Sequence, residues 1–90
     1  GVAKVERLIM RDDEGVVYGH PTEVEVDVVI KDGSHMLIEI KSRVSRSDVL
    51  EIYRIGILYE KKYGIKPKLL IIGGFVDPNA WETASRLKVE

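Results

Sequence analysis

The ninety-residue chain contains no cysteine, which excludes a disulfide framework and any zinc site built on thiolates. It also lacks a long apolar run. The longest uncharged stretch, Leu69 to Val76, falls far short of a membrane span, and no signal-peptide pattern is present. Glutamine is absent and asparagine occurs once, while 32% of residues are charged; that usage suits a thermophile. The charge has no strong sign. A formal net charge of −1 excludes a protein coated in positive charge to grip nucleic acid, although an acidic site could cancel basic residues in the sum. There is no internal repeat and no low-complexity segment, and Gly73-Gly74 lacks the Gly-Lys-Ser that opens a phosphate-binding loop. What remains is one small domain over 1–90, with room for a single core and a cytosolic setting as the default. With Gly1 rather than Met at its start, it is expected to be a piece of a longer protein.

Val and Ile dominate the apolar residues and favour strands. The pattern predicts a strand over 2–11, a turn at Asp12-Asp13-Glu14-Gly15, a short returning strand at Val16-Val17-Tyr18, and a break at Gly19-His20-Pro21. Thr22 to Ile30 alternates with period two, Val24, Val26 and Val28 against Glu23, Glu25 and Asp27. Lys31-Asp32-Gly33-Ser34 turns the chain into a strand over Met36–Ser42. Ser45 and Asp48 form a carboxylate variant of the capping box, and apolar residues then recur at helical spacing to Tyr63, with Gly64 and Pro67 ending the helix. Lys68 to Val76 has the near-continuous apolar character of a central strand covered on both faces. Asp77 and Pro78 open a second helix with Trp81, Ala84 and Leu87 on its buried stripe, and Lys88-Val89-Glu90 begin a final strand. The order is β-β-β-α-β-α. A helix between two strands is a crossover, so they should be parallel, in a mixed sheet with helices on its faces.

Charges rooted in strand interiors are costly unless they serve one another or a bound ion. Asp27 and Glu39-Ile40-Lys41 stand on successive strands, and hairpin parity decides whether they meet. Directly opposed residues share a face, so Asp27 and Glu39 need an even register sum and an odd loop. A two-residue Asp-Gly loop separates them; a three-residue loop with a glycine bulge, Lys31-Asp32-Gly33 or one position later, unites them. Glu23, Glu25, Asp27, Glu39 and Lys41 would then crowd one face and require open water or a cation. Without a cation, removing Asp27 or Glu39 should raise stability or leave it unchanged.

Asp27, eleven intervening residues, then Glu39-x-Lys41 ahead of a helix and a parallel strand resembles the PD-(D/E)xK nuclease superfamily, whose core is shared by restriction-endonuclease-like enzymes and Holliday-junction resolvases. The segments EVEVDVVIKDG and IEIKSRVSRSDV carry the likeness, and within the superfamily it is nearest to archaeal proteins that join such a domain to a coiled-coil region. The resemblance implies an α/β (α+β) restriction-endonuclease-like core and hydrolysis of DNA phosphodiesters. It implies Mg²⁺ or Mn²⁺ held by Asp27, Glu39 and the carbonyl of Ile40, with Lys41 acting on the attacking water or the phosphate. The superfamily often takes a further acid from an N-terminal helix, which is not found here; Glu25 or Glu6 would have to substitute. The helix after the motif makes Asp48, Tyr53 and Arg54 accessory candidates, and Arg43 and Arg46 would steer phosphates. A homodimer is compatible with this picture, a membrane partner is not.

Simpler readings stand beside these. Asp27, Glu39 and Lys41 could be a structural ion pair, Glu23 and Glu25 solvated strand charges, and Arg43 and Arg46 a solvated loop. His20 and His35 have no partner at metal-ligand spacing, Tyr53, Tyr59 and Tyr63 suit packing and not a base-stacking platform, and Trp81 suits a core anchor. A nucleic-acid- or protein-binding module, or an oligomerisation domain, on the same fold is therefore the alternative to a nuclease.

Overall fold

Val24, Val26, Val29 and Leu37 are wholly buried, and the chain folds so that these strand residues meet the apolar stripe of a helix. The computed structural model describes residues 3–90, in the order β1 (Lys4–Asp12), β2 (Thr22–Asp32), β3 (Ser34–Val44), α1 (Arg46–Tyr63), β4 (Lys68–Val76) and α2 (Pro78–Leu87). Val2, expected in the first strand, lies outside the described residues. The sheet order is β1-β2-β3-β4. The first three strands are antiparallel neighbours, and α1 carries the chain across to β4, which runs parallel to β3.

The hairpin has the odd loop that the site requires. Val29 opposes Leu37 and Lys31 opposes His35, an even register that centres the turn on Gly33 at φ +70°, a conformation glycine adopts without strain. A second device lies across β2. Between the pairs Glu6–Val29 and Leu8–Val26, β1 spends one residue, Arg7, where β2 spends two, Asp27 and Val28. This is a β-bulge, which interrupts the alternation and re-aims side chains. Val24 and Val26 before it and Val29 after it therefore all face the core.

Helix α1 starts at the expected capping box, Ser45 accepting from the Asp48 backbone while Asp48 accepts from the Ser45 N–H, and stops at Gly64 in the left-handed region. It buries Val49, Ile52, Ile55, Leu58 and Tyr59. The helix runs back over β3 with a fixed register: Asp48 meets Lys41 at 3.5 Å near its start, and Tyr59 meets His35 at 2.5 Å near its end.

Several expectations are corrected. Val16-Val17-Tyr18 are a turn and not a strand. Asp12 is completely buried and accepts from the N–H groups of Val16 and Val17, at 3.0 and 2.9 Å, which gives the backbone a partner other than a ladder. β4 is an edge strand in the described sheet, not a central one. Both helices contribute to one core with Val44, Leu69 and Val89, so they cover one face, and on the other Ile9, Ile40 and Ile72 are each more than half exposed. Trp81 is exposed; Ala80 holds the buried place on α2. No final strand forms at 88–90. Glu90 nonetheless exchanges two backbone hydrogen bonds with β4, donating to the Leu69 carbonyl and accepting from the Ile71 N–H. Among the described residues no helix is long and apolar enough to cross a membrane.

Candidate functional site

The β2–β3 ladder ends at Val28 opposite Ile38, and the two strands separate beyond it. The Ile40 N–H, left without a backbone partner there, donates to Asp27 Oδ2 at 3.0 Å. That hydrogen bond is the main reason the Asp27 carboxyl sits below its ordinary range. A strand residue sends its N–H and C=O to the same side, so the Ile40 carbonyl is also directed toward the gap. Glu39 shares the helix-side face with Leu37 and Lys41 by period two, and is only 8% exposed. Its carboxyl lies beside that of Asp27, to which it can donate when protonated. Burial first, then Asp27, then Glu51 push its pKa up to about 7, against the opposing pull of Lys41. The bulge thus brings Asp27, from a strand whose other acids face away, against Glu39.

Lys41 stands one strand period beyond Glu39 and is paired with Asp48. Burial would raise the Asp48 pKa, but the Ser45 N–H and hydroxyl together with Lys41 outweigh it and hold the carboxyl low. Asp48 is thereby both a helix cap and the anchor of the lysine.

The structure also separates residues that the sequence placed together. Glu23 and Glu25 alternate with the buried Val24 and Val26, so they point away from the face carrying Glu39 and Lys41. Glu25 is paired with Arg7, and the expected crowd of four carboxylates does not form. Glu6 is paired with Lys31 at 3.0 Å, near the hairpin end, and is no substitute for a third acid. Arg43 makes two contacts with Asp77, at 3.0 and 3.3 Å, tying the end of β3 to the start of α2. Arg46 is exposed at the first position of α1, and Arg54 is exposed further along it. Tyr53 lines a surface cavity with Gly56, Pro67 and Leu69 on another flank.

Two residues not anticipated do reach the site. The α1–β3 register that places Asp48 over Lys41 and Tyr59 over His35 places Glu51 over Glu39, where its charge bears on the Glu39 carboxyl. Tyr18, from the turn between β1 and β2, lies close enough to Glu51 for that charge to act on its hydroxyl. Burial first, then the Glu51, Glu39 and Glu25 charges raise its pKa. The one sequence signal for Glu51 was its position three residues after Asp48, on the same helix face.

The donor set fits a hard divalent cation. Two carboxylates pressed together, one of them retaining its proton to near neutrality, are relieved when a cation takes the proton's place. Among the described residues no group of three or more His, Cys, Asp or Glu side chains is arranged to hold a metal. Magnesium characteristically takes only one or two carboxylates and keeps several waters, so two acids and a strand carbonyl form a suitable set.

A family model of the PD-(D/E)XK nuclease superfamily matches residues 22–90, from the start of β2 through α2. No curated protein and no solved structure gives a significant match to the chain.

Proposed function

Because the chain belongs to the PD-(D/E)XK nuclease superfamily, we propose that it is a metal-dependent endonuclease domain that hydrolyses DNA phosphodiesters at Asp27, Glu39 and Lys41. The observation that carries this reading is the Asp27 carboxylate held on the Ile40 N–H where β2 and β3 separate, beside the buried Glu39 and with Lys41 one strand period away. A structural ion pair would set Lys41 against these acids; it is instead held by Asp48, and the two acids are left against each other.

Asp27, Glu39 and the Ile40 carbonyl would hold Mg²⁺ or Mn²⁺. The ion, when bound, supplies Lewis acidity toward a phosphate oxygen and a lowered pKa for its water. Lys41 is not a ligand. Its ammonium, steadied by Asp48, orients the attacking water and offsets charge developing on the phosphate. Arg46 meets neighbouring phosphates from the helix start, a positioning contact without sequence information.

The test is a division of labour. Lys41→Ala should keep its affinity for Mn²⁺ by calorimetry and lose metal-dependent cleavage of plasmid and branched DNA on gels, while Glu39→Gln loses both. Unchanged cleavage by Lys41→Ala would remove this mechanism. DNA binding by the native protein without cleavage in either metal would favour a binding module on the same fold.

A further inference from the structure

Tyr18 is 47% exposed, yet its position is rigidly built. The buried Asp12 carboxylate fixes the turn from inside, Val17 is anchored in the core at 3% exposure, and the Gly19 N–H closes the turn on the Gly15 carbonyl at 3.0 Å. Gly15 lies at φ +68°, where a Cβ would come within 2.7 Å of the His20 nitrogen, so only glycine lets the two sides of the turn approach. The Glu51 and Glu39 charges both act on the Tyr18 hydroxyl, which sets the residue beside the acidic pair, and its ring stacks with His20, centroids 6.5 Å apart and planes 29° apart. The buried groups of this turn hold an aromatic surface at the rim of the site and contribute no side chain to the acids themselves.

We propose that Tyr18, with His20 beside it, is a stacking platform for an unpaired nucleobase next to the scissile phosphate, making single-stranded or frayed DNA the preferred substrate class. This rests on the nuclease reading for the position of the phosphate. A phosphodiester brought to Asp27 and Glu39 carries its neighbouring sugar and base to within reach of the rim. In a duplex both faces of each internal base are covered by its neighbours. An unpaired base has a free face, and an aromatic ring already immobilised loses little entropy in meeting it. Ring stacking tolerates every base, so the platform selects for strand state and not for sequence.

The experiment measures binding in the cleavage-deficient Lys41→Ala background, using a fluorescein-labelled oligothymidylate, a duplex of equal length, and a single strand carrying 2-aminopurine. Tyr18→Ala should weaken single-strand binding by about 5- to 100-fold, the range for loss of one stacked base, and leave duplex binding within about twofold, as expected if no internal duplex base reaches the ring. Tyr18→Phe, which keeps the ring and loses the hydroxyl, should bind like the parent and still quench the 2-aminopurine, because the π-face makes the contact. Equal losses with Tyr18→Phe and Tyr18→Ala would overturn the proposal, since the hydroxyl and not the ring would then be what matters. Equal effects on duplex and single strand, or no single-strand binding, would also overturn it. Ring-dependent single-strand binding in a protein that never cleaves would leave this inference standing and remove the nuclease reading.

Discussion

Glu39 and Asp27 respond to protons in opposite ways, and stability should report both. A carboxylate whose folded pKa is raised takes up more protons than the unfolded chain, so its contribution is present at low pH and is lost as pH rises. For Glu39 that window runs from its ordinary 4.5 to about 7. Thermal unfolding should therefore show a protein less stable at pH 8 than at pH 5, with about 2–3 kcal/mol at stake from this one group. Glu39→Gln should flatten the slope, and Mn²⁺ should reverse it in the native protein. Asp27, held low, works in the opposite sense, and stabilises above pH 4. The expectation that removing either acid raises stability divides accordingly. At pH 8 Glu39→Gln should melt higher than the parent, whereas Asp27→Ala gains less because the Ile40 N–H loses its acceptor. Hairpin parity tied these two acids to one face only for an odd loop, which the register around Gly33 supplied, and it wrongly added Glu23 and Glu25, which the bulge turns away. The contact with Glu51 was not, because it depends on how α1 is seated on β3, which no single segment encodes.

At the scale of elements, the sequence was most informative where a local signal dictates the conformation. The capping box at Ser45–Asp48 and the left-handed Gly64 fixed α1 at both ends, and Asp77-Pro78 opened α2 as expected, although the Asp77 side chain turned to Arg43 in place of capping. Signals failed where two environments share one pattern. The apolar run of β4 suits a strand buried on both faces, and equally an edge strand with one bare face. Val16-Val17-Tyr18 has β-branched residues suited to a strand, but the Asp12 carboxylate satisfies the same N–H groups more locally. That substitution of partners makes Asp12 the keystone of the turn. Asp12→Ala should destabilise by about 2–4 kcal/mol in denaturant unfolding, from two amides left without an acceptor and a void beside the core. It should also uncouple Tyr18, seen as loss of 2-aminopurine quenching before any loss of Mn²⁺ affinity. Asp12→Asn, which offers one acceptor oxygen for two amides, should fall between.

Across the whole molecule, a single sheet is covered by helices on one side only. The bare side carries Ile9, Ile40 and Ile72, between 51% and 57% exposed, with Phe75 at 58%, and the Arg7–Glu25 pair beside Ile9. Such a face binds hydrophobic dyes and promotes association. Ile72→Lys should lower 1-anilinonaphthalene-8-sulfonate fluorescence and raise solubility while changing unfolding free energy by no more than about 0.5 kcal/mol, as for an exposed site. Metal affinity should be unaffected, because Asp27 and Glu39 are approached from the helix side. Trp81, read as a core anchor, belongs to the same lesson: amphipathic spacing identified the helix, but Ala80 and Trp81 are neighbours on it, and Ala80 took the buried place.

The bulge at Asp27–Val28 sets the chain's tolerance to changes in length. Deleting Val28 would restore an uninterrupted pleat, keep Val24, Val26 and the former Val29 facing inward, and carry Asp27 to the bare side. The shortened hairpin would be more regular than the native one and would have no paired acids. A single residue in β2 therefore decides whether Asp27 and Glu39 share a face of the sheet.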